Sequence, residues 1–219
     1  MQSEYSGGMR LPITPVNTLL RDLRGQLRQN HPGGRLLVAV DALPSVATAA
    51  FADAFADVVA EDGTAVFRAG ADGFLLPPRA RPGHSREPAW FDEETFRRVL
   101  VDPFRGGVHT SATTGFQLAA WDPRRERPAE ARWVTAPEDA VIVVDGPFLN
   151  TPALRGIWHF SVWLEVADSA LAAREGRSMD APYSRTELAY LREQPVQRAS
   201  ALVDVTDPQH PVQVFRDSC

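Results

Sequence analysis

Apolar residues recur along this chain with two periods. Over residues 14–29, Val16, Leu19, Leu20, Leu23 and Leu27 fall three or four apart, the spacing of one helix face, with Thr14 placed to cap the first turn and Pro15 to open it. HPGG at 31–34 stops that pattern, and LLVAV at 36–40 follows as an unbroken apolar run of strand length. Such a run predicts a parallel strand covered on both faces, because a strand with one wet face alternates. Residues 51–59 return to helical spacing, EDG at 61–63 turns the chain, and 64–68 reads as a second strand. Strand, helix, strand in this order predicts a βαβ unit, where ligands gather beyond the carboxyl ends of parallel strands.

The pattern then lapses. DGFLLPPRARPGHSREP at 72–88 is too rich in Pro, Arg and Gly for a regular element and too long for an ordinary connection, so it reads as a functional or a disordered loop. Helical spacing resumes over 91–100, and short strands are expected in FQLAAW and ARWV on either side of the basic stretch WDPRRERP. AVIVV at 140–144 is a second buried strand, ending at Asp145-Gly146, and SVWLEV at 161–166 another, with a short helix between them near 152–157. Helices over 167–177 and 183–194 and strands at 201–205 and in VQVF complete the reading, with no internal repeat. The expected architecture is a single α/β domain over 1–219, a parallel sheet flanked by helices in three layers. It has a flexible start at 1–13, a ligand-side loop at 72–90 and a lid-like helical region at 168–195.

Composition narrows the chemistry. With 219 residues, 44% hydrophobic and 23% charged, the chain can bury one sizeable core. A formal net charge of -5 argues against a nucleic-acid binder, which needs a basic face to displace counterions from phosphate. The single cysteine, Cys219, leaves no intramolecular disulfide or cysteine-rich metal site and suits a reducing compartment. No apolar run reaches the roughly 20 residues of a membrane span, and MQSEYSGGMR lacks the form of a signal peptide. A soluble cytoplasmic protein with a small-molecule ligand is expected, its oligomeric state open. His31, His84, His109, His159 and His210 are scattered without metal-ligand spacing, and no G-x-S-x-G or Cys/His arrangement suggests a covalent nucleophile.

The segment between the first strand and its helix carries the candidate chemistry. LLVAVDALPSVATAAF, ADGF after the second strand, AVIVVDGPFL, LRGIWHFSVWLEV and ALVDVTDPQHP resemble, in order and spacing, the successive motifs of bacterial uridine-kinase-like proteins of the P-loop nucleoside kinase family. That resemblance implies a P-loop NTPase fold, ATP and Mg²⁺ at the first loop, a small hydroxyl substrate beyond the second strand, and an arginine-bearing lid. In the family pattern G-x-x-x-x-G-K-[ST], backbone amides wrap the phosphate, the lysine bridges phosphate oxygens and the hydroxyl holds Mg²⁺. The matching positions are Ala42, Leu43, Pro44, Ser45, Val46, Ala47, Thr48, Ala49 and Ala50, so both glycines, the lysine and the magnesium hydroxyl are replaced. Alanine resists the positive φ that such a nest uses, Pro44 removes an amide donor, and the lost charge is an electrostatic contribution of roughly 3 to 4 kcal/mol.

By the same resemblance Asp72 is the catalytic base, Asp145 holds metal-bound water, and Asp41 at the first strand's end adds a third carboxylate toward a cation. Each has a plainer reading as a strand-end turn former. Phe74, Arg79, Trp121, Asp122 and Arg125 fall on the substrate side, together with Arg81, Arg124 and Arg127. Solvated arginines and satellite-core aromatics such as Trp90 and Phe91 are the bland alternative. Arg174 and Arg177 match lid arginines. Three functions follow: an active phosphotransferase using Asp72, a pseudokinase or repurposed member with a degenerate Walker A loop, or an interaction protein whose loop packs its own Leu43, Val46, Ala47 and Ala50.

Overall fold

The computed structural model describes residues 10–83, 88–106 and 115–215. His84, His109 and Cys219, most of the expected flexible start and part of the 72–90 loop lie outside the described residues.

Helix α1 spans Pro15–Asn30, and its start is the one the sequence predicts: the Thr14 hydroxyl accepts from the Asn17 amide at 3.1 Å and Pro15 opens the first turn. Its apolar stripe, Leu19, Leu20, Leu23 and Leu27, is buried. Strand β1, Arg35–Ala42, follows with every residue after Arg35 buried, then α2, Ala49–Ala60, and β2, Ala65–Gly70. The chain next passes through a 3-10 turn at Ala71–Phe74 and reaches a helical run: α3, Glu93–Phe96, a π-helical turn at Arg97–Val101, and α4, Asp102–Gly106. The helix expected from residue 91 begins two residues later because Asp92 caps it, accepting from the Thr95 amide at 3.0 Å. FQLAAW and ARWV contribute an isolated bridge, Phe116 with Val134, while Trp121–Asp122 (β3) and Arg127–Pro128 (β4) form a short hairpin. Strands β5, Ala140–Asp145, and β6, Phe160–Glu165, lead to α5, Asp168–Glu175, α6, Arg185–Arg192, and α7, Pro195–Arg198. Strands β7, Ala201–Asp204, and β8, Val212–Val214, close the chain.

The main sheet runs in the order β2-β5-β1-β6-β7-β8, with all neighbours parallel except the β7–β8 pair at the edge. Because β1 and β5 lie inside the sheet with helices on both faces, their side chains feed two separate cores. Leu36, Val38 and Val40 pack with α1 and α2, whereas Leu37 and Ala39 pack with Phe96, Leu100 and Phe104. The register sets Val40 and Gly70 level with Asp145, so three strands end together at one edge of the sheet. Gly146 has φ +139°, and a Cβ there would sit 2.6 Å from the Ala71 Cβ. Only glycine lets the chain leave β5 this close to the turn that carries Asp72.

Candidate functional site

The segment joining β1 to α2 sits at that edge, but its backbone does not form a phosphate nest. No residue from 42 to 50 has positive φ. The Val46 amide donates to the Leu43 carbonyl at 2.9 Å, closing a tight turn, and Leu43 and Val46 point into the same core as Trp163, Leu164 and Leu171. Pro44, Ala47, Ala49 and Ala50 remain exposed. Thr48, on the lysine position, is buried and leaves the first turn of α2 without a side-chain cap. Its hydroxyl instead donates to Asp145 Oδ2 at 2.8 Å.

Asp145 is engaged on both oxygens. Arg68, a charged residue within β2, donates from Nη2 to Asp145 Oδ1 at 2.7 Å, from Nε to Asp53 at 2.8 Å, and from Nη1 to the Val143 carbonyl at 2.6 Å. A guanidinium thus faces the carboxylate that the family pattern would offer to metal-bound water. Asp41 goes elsewhere: fully buried, its Oδ2 accepts from the Asn150 amide at 2.8 Å and from the Tyr190 hydroxyl. Burial pushes the Asp41 carboxyl up to about 7, although those hydrogen bonds oppose the rise. Burial, and then the neighbouring Asp41, push the Tyr190 hydroxyl far above its ordinary range. Asp72 lies exposed in the 71–74 turn. Among the described residues no three His, Cys, Asp or Glu side chains gather where they could share a metal ion. The expectation of three carboxylates around one cation is therefore corrected, because two of them are spent on Arg68 with Thr48 and on Tyr190 with Asn150.

The lid-like region supplies a second internal ion pair. Ser184 and Glu187 form a capping box at the start of α6, and Glu187 is 1% exposed. Its carboxylate accepts from Arg177 Nη1 at 2.6 Å, from the Ser184 amide at 2.7 Å and from the hydroxyl of Ser45 in the phosphate-loop segment. Burial alone would raise the Glu187 carboxyl; Ser45, Ser184 and Arg177 together hold it below its ordinary value. Arg177 is thus beside the loop, whereas among the described residues Arg174 donates to the Thr206 carbonyl, at 3.4 Å.

The resemblance to P-loop kinases implies a magnesium-bound triphosphate at this segment. Such a group needs a cluster of amides in a nest, a cation, a hydroxyl and a free carboxylate. This loop offers a turn without positive φ, alanine at 47 and 49, and carboxylates already paired.

The acceptor side differs. Phe74, Arg79 and Trp121 line one cleft of about 680 Å³, joined by Arg98, Arg127 and Asp92. Arg79, Arg98 and Arg127 make no ion pair among the described residues. Arg81 stacks between Trp90 and Trp121, its Cζ 5.2 and 5.7 Å from the two ring centres. Asp122 and Arg125 are not in this cleft. Asp122 Oδ1 accepts from the Arg124 and Arg125 amides, both at 3.1 Å, which caps the hairpin turn. Both residues border a neighbouring hollow of about 960 Å³ that reaches Arg68, with Trp121 shared between the two.

The sequence reading missed Arg68, Glu187, Tyr190 and Asn150. Two had a local signal: Arg68 is a charge inside an apolar strand, and S-x-x-E at 184–187 is a capping box. Tyr190 and Asn150 had none, since both act through partners more than 100 residues away.

This strand order is a mostly parallel sheet flanked by helices in three layers, a fold also found in solved structures described as kinases. Two solved structures share it. A protein described as a possible uridine kinase from Bacillus stearothermophilus superposes with a TM-score of 0.60 at 20% identity, over 84% of this chain and 98% of that one. One described as a putative fructose transport system kinase from Silicibacter sp. TM1040 superposes with a TM-score of 0.57 at 24% identity, over 82% and 94%. At these identities the likeness establishes the fold. No family model and no curated protein matches the sequence. No helix among the described residues is long and apolar enough to cross a membrane.

Proposed function

We propose that this is a repurposed kinase-fold protein, one that binds a small molecule in the cleft beside Trp121 and has little ordinary ATP-dependent phosphotransfer. The observation that carries the reading is the pairing of Asp145 with Arg68 and Thr48. In a phosphotransferase that carboxylate helps hold the cation that neutralises developing charge. Here a guanidinium has taken the cation's place, and the position that would carry a mobile lysine holds a buried threonine tied to the same carboxylate. The loop's remaining hydroxyl, Ser45, is turned to Glu187, an anion supplied by the chain itself.

A second reading, an active enzyme using Asp72 as base, draws support from one feature: Asp72 is exposed and two residues from Phe74 on the cleft wall. Titration calorimetry with Mg-ATP, together with a thermal-shift screen of nucleosides, sugars and their phosphates, separates the two readings. The expected outcome is no saturable heat from Mg-ATP at millimolar concentration. A small-molecule hit should raise the melting temperature by mass action and lose its effect in Trp121→Ala. Stoichiometric ADP formation that Asp72→Asn abolishes would overturn the proposal in favour of the second reading.

A further inference from the structure

We propose a separate binding site for a small organic oxyanion, a phosphate or carboxylate on a compact body, in the cavity between the β5–β6 connection and the start of β7. The cavity measures about 410 Å³, within the range of small-molecule sites. Among the described residues, the charged groups on its wall are two guanidiniums, Arg155 and Arg198, and no carboxylate lines it. Neither arginine forms an ion pair with a described residue. Arg198 is half-buried, and its one described bond runs from Nη1 to the Asn150 carbonyl at 2.8 Å.

Neutral polar groups stand beside them on the wall. Thr151, Ser161 and Ser200 bring hydroxyls, and the Ser200 oxygen already accepts from the Ser161 amide at 3.0 Å, so its proton is the part left to give. Asn150 is 4% exposed, and its side-chain Nδ2 has no hydrogen-bond partner. A buried donor without an acceptor costs about 1–3 kcal/mol, and the large majority of buried polar groups are satisfied for that reason. The two guanidiniums have no anion beside them among the described residues, and the hydroxyls can turn a proton toward a ligand, so an oxyanion is the ligand that answers both. Trp158, with its Nε1 fixed on the Leu149 carbonyl at 2.6 Å, holds its ring in the wall and gives the ligand's body an apolar surface. None of these residues lines the Trp121 cleft or the Ser45 segment, and the proposal does not rest on the function proposed above.

The test is calorimetry and thermal shift on the full chain with inorganic phosphate, phenyl phosphate and benzoate. Saturable binding of at least one probe is expected. Arg198→Gln should weaken it at least tenfold and Arg155→Gln at least fivefold, while Arg10→Gln, an exposed arginine that lines neither cleft, leaves it unchanged. Arg155 is exposed and has no described side-chain hydrogen bond, so Arg155→Gln decides the matter even where Arg198→Gln does not fold. Phenyl phosphate binding more tightly than phosphate marks an organic phosphate; benzoate binding more tightly than either marks a carboxylate. Saturation by none of the three probes, or affinity unaltered in the arginine variants that fold, overturns the proposal.

Discussion

The two halves of the strand-end edge treat charge in opposite ways. Around the phosphate-loop segment, Arg68 with Thr48 closes Asp145, and Arg177 with Ser45 closes Glu187. Across the sheet edge, Arg79, Arg98 and Arg127 stand around an apolar floor of Phe74 and Trp121 with no ion pair among the described residues. A buried charge is tolerable only when something answers it. On the loop side the chain supplies that answer, so the folded state needs no ligand there. On the cleft side the cations are partly wet, and a ligand can still add to their interactions.

The strongest attack on this contrast is to remove the anion that closes the loop side. Glu187→Ala deletes the partner of Arg177, the acceptor of the Ser45 hydroxyl and half of the α6 capping box. Breaking a buried pair by removing one partner costs about 3 kcal/mol, which for a chain of this size lowers the melting temperature by on the order of 10 °C. Glu187→Gln, which keeps the shape and the cap, should lose less than half as much. A drop under 2 °C for the alanine variant, read by calorimetry at pH 7, would mean that the loop side is not held by its own charges.

The buried carboxyl beside the loop is tested through pH rather than by deletion. Asp41 titrates near 3.8 when unfolded and is pushed up to about 7 when folded. Between those values the unfolded chain releases a proton that the folded chain keeps, so this group's contribution is fully present below about pH 4 and is lost as pH rises through 7. Its full extent is on the order of 4 kcal/mol. Asp41→Asn keeps an oxygen for the Asn150 amide and for Tyr190 and removes the titration. Its melting temperature relative to the parent should therefore climb steadily from pH 4 to pH 8. A difference that stays level across that range, or falls, contradicts the buried and protonated Asp41.

What the sequence made legible follows from where each signal resides. The strands β1 and β5 show as unbroken apolar runs because both faces are covered, and α1 shows its first turn because Thr14 and Pro15 act within three residues of their targets. The place of the connection between β1 and α2 was legible for the same reason: it is fixed by the strand before it and the helix after it. The pairing of its charges was not. Arg68 meets Asp145 across 77 positions, and Ser45 meets Glu187 across 142, distances at which only the folded sheet brings side chains together. Asp122 and Arg125 were placed with Trp121 because they are its neighbours in sequence. A hairpin turn two residues later carries them to the other side of the ring.

The smallest expected effect tests the open half. Arg79 is exposed, lies in a short 3-10 turn, and has no described hydrogen bond or ion pair from its side chain. Substitutions at such surface positions usually change stability by no more than about 0.5 kcal/mol, so Arg79→Gln should leave the melting temperature within about 2 °C of the parent. Any ligand found for the Trp121 cleft should nevertheless bind more weakly to that variant, since the cation's remaining use is in contact with the ligand. The two readouts must separate for the contrast between the halves to stand. A charge that serves the fold moves stability, as Arg177→Gln should do through Glu187 and the α6 cap. A charge kept for a ligand moves affinity alone. Arg79→Gln that lowers the melting temperature by 5 °C or more would make the cleft a second self-satisfied surface, and the case for a ligand there would go with it.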